Sequence, residues 1–157
     1  MEKNANLEKK VSFFISELYK WQQRLDLGYV EIQEADNFQS DAICMVELYR
    51  WIDSGEYFPV IYYNPKQFRS CNKADILQTA LHEIAHIYFG HIYEGDKKKI
   101  EFYEFEAESF AIDTIRKEYK RFYKTALRNL KRWTEYKSNV YRDVAKMILK
   151  KEAGRSC

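Results

Sequence analysis

Apolar residues recur at helical spacing near the start of the chain. Leu7, Val11, Phe14, Leu18, Trp21 and Leu25 mark one face, and Gly28 follows. This predicts an amphipathic helix over residues 5–27. The period then shortens. Three short runs, Tyr29 to Glu34, Ala42 to Leu48 and Tyr57 to Tyr63, read as strands, with the polar segments DNFQSD and DSGE between them. Such turn-separated runs predict antiparallel hairpins, and Asn64-Pro65 ends the third. Ile76, Leu77, Ala80, Leu81, Ile84, Ala85, Ile87, Tyr88 and Phe89 are apolar almost all round, the sign of a helix buried in a core. Asn72 is its expected N-cap, Asp75 lies in the first turn and Gly90 is the stop. A loop at Lys97–Lys99 leads to another helix over 99–119. Beyond it, Phe122, Tyr123, Ala126, Leu127, Leu130 and Trp133, then Val140, Tyr141, Val144, Met147 and Ile148, mark an apolar stripe along one or two further helices. The whole predicts an α+β chain: an N-terminal helix, a small three-stranded, mainly antiparallel sheet, two central helices, and C-terminal helices.

The central buried helix carries HEIAH, residues 82–86. Residues four apart share a helix face, so the imidazoles of His82 and His86 can reach one metal ion. Glu83 projects about 100° around the axis from His82, beside the ion rather than on it. A zinc ion held this way acidifies water, and a neighbouring carboxylate accepts the proton. All three histidines of the chain fall between positions 82 and 91. Histidines on a buried helix need partners, because unpaired buried polar groups are costly, and a metal supplies one. The alternative is a helix with satisfied core histidines and an incidental glutamate.

A catalytic zinc takes three protein ligands and keeps one position open. His91 is the weaker candidate for the third. It lies five residues after His86, about 140° away on a continuous helix, beyond Gly90, and it misses the HExxHxxGxxH spacing. The stretch KIEFYEFEAESFAIDTIRKEY offers better donors. Drawn as a helix, it puts Glu106, Asp113, Arg116 and Lys117 on a polar side, whereas Glu104 and Glu108 fall among Tyr103, Ala107, Phe110, Ala111, Ile112 and Ile115. Carboxylates are rarely buried unless paired or metal-bound. Glu104 is therefore the expected third ligand and Glu106 the fallback. Glu108, one turn on, is expected to accept from the outer N–H of a ligand imidazole.

TALHEIAHIYFGH followed by YEFEAESFA resembles the ImmA/IrrE family of zinc metallopeptidases, within the wider gluzincin group, whose members carry HExxH and then ExEA(D/N)xFA on the next helix. The preceding VIYYNP is similar to the strand before the motif helix in such proteins. The likeness spans about residues 76–115. It implies His82 and His86 as ligands, Glu83 as general base and Glu104 as third ligand. It also implies a regulatory role, cleavage of a helix-turn-helix repressor in mobile elements or stress responses. The family usually has Asp or Asn where this chain has Glu108.

Composition narrows the setting. The 157 residues are 46% hydrophobic and 17% aromatic, with two prolines and five glycines, which suits one domain with a single core. No apolar run approaches the roughly 20 residues a membrane span needs, and the charged start MEKNANLEKKVSFF does not read as a signal peptide. Cys44, Cys71 and Cys157 are an odd set without a CxxC, as expected of reduced thiols in a cytoplasmic protein. The net charge of +2 hides a division. Residues 116–155 hold fourteen basic and four acidic residues, a balance of +10, while 1–115 balance to −8. The simplest expectation for 116–157 is a helical extension that packs apolar residues and solvates a basic face. The sharper one is a contact surface for nucleic acid or an acidic partner.

These readings converge on a single-domain zinc-dependent endopeptidase with a protein substrate. The third strand is the expected cradle for an extended peptide, and His91, Tyr88 and Tyr93 are the candidate donors to the carbonyl oxygen. The alternative is a non-catalytic binding module, such as an anti-restriction or DNA-associated protein of a mobile element. It would have a structural metal site and act through its basic helices.

Overall fold

A computed structural model describes residues 2–36, 42–135 and 139–155. The expected turn at 37–41 and Cys157 lie outside the described residues. The chain is α+β, with helix α1 (Glu2–Arg24), strands β1 (Glu31–Glu34), β2 (Cys44–Arg50) and β3 (Tyr57–Tyr63), then helices α2 (Lys73–Tyr88), α3 (His91–Glu94), α4 (Ile100–Glu118), α5 (Lys120–Trp133) and α6 (Asn139–Arg155). A short 3-10 turn, Lys97–Lys99, stands where a loop was expected.

The sheet corrects the hairpin reading in part. Its order is β1-β3-β2. β2 and β3 form the expected antiparallel pair, Cys44 opposite Tyr63 through Arg50 opposite Tyr57. β1 instead joins the far side of β3 in parallel, Glu31 opposite Val60 through Glu34 opposite Tyr63. β3 is therefore central and has no free edge to receive a peptide. The reason lies in its side chains. Val60, Ile61 and Tyr63 are buried, and the most apolar strand gains most from being flanked on both sides. The edges fall to β1 and β2, which carry Glu31, Glu34, Glu47 and Arg50, the charged residues typical of exposed edges.

α2 forms the centre of the molecule. Its Ile76, Leu77, Leu81, Ile84 and Ala85 are almost wholly excluded from solvent, matching its all-round apolar sequence. A capping box fixes its start: Asp75 N–H donates to Asn72 Oδ1, and Asn72 N–H donates to Asp75 Oδ2, each at 2.8 Å. α1 packs Phe14, Leu18 and Trp21 into the same core, and Trp21 Nε1–H donates to the Tyr119 hydroxyl at 3.0 Å.

The basic C-terminal helices belong to this core too. Ala126 and Leu130 of α5, with Val144, Ala145 and Ile148 of α6, sit in one apolar cluster with α2 and α4. Ion pairs cross from α4 to α6: Asp113 meets Lys151 at 3.5 Å and Arg155 at 3.3 Å. Among the described residues, no helix is long and apolar enough to cross a membrane.

Candidate metal centre

Helical geometry brings His82 and His86 to one face of α2, and α4 packs across that face. His82 Nε2 and His86 Nε2 lie 3.0 Å apart. Glu104 enters from α4, its Oε2 3.0 Å from His82 Nε2 and its Oε1 3.4 Å from His86 Nε2. One atom from each residue can meet around a common point, so this buried group could hold a metal ion. Glu104 Oε2 is buried without a hydrogen-bond partner despite its neighbours. A buried carboxylate oxygen that faces the His82 nitrogen without a hydrogen bond fits a cation at that point, since buried polar atoms are otherwise almost always satisfied. Burial alone would raise the Glu104 pKa. The imidazoles of His82 and His86 outweigh it and hold the carboxyl well below the usual carboxylate range, in its ligating form.

The outer atoms are also held. His82 Nδ1 lies 2.8 Å from Glu108 Oε2, and Gln78 Nε2–H donates to Glu108 Oε1. Glu108 is completely buried. The side chain, one methylene longer than an Asp or Asn at that position would be, still reaches the imidazole. Burial opposes charging His82, but Glu104 and Glu108 on either side raise its pKa well above the ordinary value.

The helical phase drawn from the sequence places Glu104 and Glu108 as expected. Glu106, the fallback ligand, points elsewhere: its Oε2 lies 2.7 Å from His91 Nε2. His91 is not in the convergent group. Gly90, at φ 75°, reverses the chain after α2 in the left-handed region that favours glycine. His91 then stands behind His86, Nδ1 to Nδ1 at 2.9 Å. No local periodicity reports that contact, because it depends on the turn.

Glu83 stands beside the group, on the wall of a cleft of about 270 Å³ that it shares with His82, His86, Glu104, Tyr103 and Tyr141. Burial pushes its carboxyl pKa up, opposed by the two imidazoles, the direction that strengthens a carboxylate as a proton acceptor. Cys44, Met45 and Val46 of β2 also line the cleft, so the edge strand beside the site is β2. Tyr88 and Tyr93 do not line the cleft. Tyr88 packs on Phe89 and Phe110, half exposed. Tyr141, which the sequence shows only as one apolar position on the C-terminal stripe, does line it. Its proximity to the site became visible only when α6 folded back over α4. Burial, together with Glu104 and Glu83, pushes its phenol up to about 12. The chain matches no protein-family model, no curated protein and no solved structure.

Proposed function

We propose that the chain is a zinc-dependent endopeptidase of the ImmA/IrrE type, acting on a regulatory protein such as a helix-turn-helix repressor. The observation that carries the reading is the approach of Glu104 from α4 to the paired Nε2 atoms of His82 and His86, with Glu83 and an edge strand lining the same cleft. Two nitrogens and one carboxylate at one point suit zinc, and among the described residues no fourth side chain joins them, as an open catalytic site requires. When bound, the ion would acidify water and polarise a carbonyl.

The residues supply the remaining steps. Glu83 accepts the proton of the attacking water and returns it to the leaving amine. The substrate runs extended along β2, whose outer edge is unpaired within the sheet, and main-chain hydrogen bonds hold it in register. The carbonyl oxygen gains charge and needs a donor. Besides the proposed ligands His82 and His86, three cleft residues carry ring N–H or O–H groups, His91, Tyr103 and Tyr141. His91 has both nitrogens engaged, and Tyr103 O–H donates to Glu94. Tyr141 remains, its phenol proton retained at neutral pH.

Co-expression with a small DNA-binding repressor, comparing wild type with Glu83→Gln, tests the proposal. Cleavage by wild type alone is the expected result. Equal cleavage by both would refute the assignment of Glu83, and zinc bound tightly without hydrolysis of any candidate would favour a structural role for the metal.

A further inference from the structure

We infer that His91 and Glu106 form a relay that fixes the tautomer and orientation of His86. This rests on the reading that His82, His86 and Glu104 bind a metal. His86 turns Nε2 to the convergent point and Nδ1 to the opposite side, where His91 Nδ1 lies 2.9 Å away. Two bare ring nitrogens would repel at that distance, so one must carry hydrogen. A neutral imidazole carries one proton on one of its two nitrogens. If Nε2 of His86 is to offer a lone pair, its proton sits on Nδ1 and donates to His91 Nδ1. His91 Nδ1 is then bare, and its own proton sits on Nε2, where Glu106 Oε2 accepts it at 2.7 Å.

With both rings neutral, this is the one arrangement that satisfies the His86–His91 and His91–Glu106 contacts and leaves His86 Nε2 bare; the 3.0 Å approach of that atom to His82 Nε2 is left for the metal to bridge. The reverse arrangement puts the His86 proton on Nε2, inside the site, and turns a bare His91 Nε2 toward a carboxylate. Glu106 excludes it, because two acceptors would face each other. The carboxylate thus selects the His91 tautomer, and His91 selects that of His86.

The relay ring is itself immobilised. His91 is buried. It stacks on Tyr103, with centroids 4.5 Å apart and planes at 26°, and lies near-parallel to Phe89 at 5.8 Å. The two ligands are therefore braced differently. His82 meets a carboxylate directly, whereas His86 meets one through an intervening imidazole. The difference follows from α4. Glu106 lies two residues before Glu108, about 200° around the axis, too far round to meet a ligand without an intermediary.

The test is zinc affinity of the full chain, measured by competition with a chromophoric chelator and without substrate. His91→Phe keeps the stacking ring but removes the acceptor. It should weaken zinc binding by about 10- to 100-fold. His91→Gln, whose amide can accept from His86 and donate to Glu106, should recover most of that loss. Glu106→Ala alters a partly exposed side chain and should weaken binding in the same direction with the fold intact. Nitrogen-15 spectra of the imidazoles in the zinc-loaded protein should show His91 protonated on Nε2 and bare on Nδ1. Affinity of folded His91→Phe within about twofold of wild type, or a proton on His91 Nδ1, would overturn the inference. A wild-type chain that binds no zinc would overturn both the metal reading and the relay.

Discussion

Glu104 Oε2 lies 3.0 Å from His82 Nε2 and makes no hydrogen bond. That unsatisfied approach, between residues 22 positions apart on different helices, is what a shared cation would resolve. Glu104→Ala should lower zinc affinity by about 100-fold or more, since loss of outer contacts alone costs up to that much. Competition titration reads the change. Full retention of affinity would remove Glu104 from the ligand set.

Glu83 touches the cleft but not the convergent point. Glu83→Gln should therefore keep zinc at wild-type stoichiometry while lowering turnover by about 10²- to 10⁴-fold, the range for loss of a general base. Elemental analysis and cleavage assays on the same preparation separate the two effects.

Tyr141 reaches the cleft from α6. Tyr141→Phe keeps the ring and removes the donor, so kcat should fall by about 10²- to 10³-fold, as for removal of one oxyanion donor. KM and bound zinc should stay near wild type. An unchanged kcat would exclude the hydroxyl from the reaction.

Ile148 of α6 is completely buried against the central helices. Ile148→Ala should destabilise the whole protein by about 2–5 kcal/mol, lowering Tm by about 2–4 °C for each kcal/mol. Thermal unfolding should remain a single transition. A separate early transition confined to the C-terminal helices would show that residues 116–155 fold as an appendage.

The buried thiols should be inert. Burial pushes the Cys71 pKa up to about 11, and burial and Glu83 push Cys44 well above its ordinary value. Free cysteine ionises near about 8.5, and the thiolate is the reactive form. In a Cys157→Ser background, neither thiol should react promptly with a disulfide reagent at slightly alkaline pH, and both should titrate after denaturation. Rapid reaction of Cys44 in the native state would show that the cleft opens further than this structure.

Residues within one helix were the most legible in the sequence. His82 and His86 share a face, and Glu104 and Glu108 fall on the inward side of α4, because 3.6 residues per turn fixes those directions locally. Asn72 and Gly90 marked the ends of the motif helix for the same reason: capping and reversal are chemistry of a few adjacent residues. The antiparallel pairing of β2 with β3 was also within reach, through the short polar segment between them.

Relationships between distant segments were decided by packing alone. β1 runs parallel to β3, and β3 takes the centre, because burying Val60, Ile61 and Tyr63 outweighs the convenience of consecutive hairpins. That choice moved the free edge beside the site to β2. The sequence position of His91 suggests a weak ligand or a donor, yet the turn at Gly90 sets it behind His86, within reach of Glu106. Tyr141 enters the cleft only because α6 folds across α4. Periodicity reports which side of an element is buried. It does not report what that side meets, and the contacts that complete this site are all of the second kind.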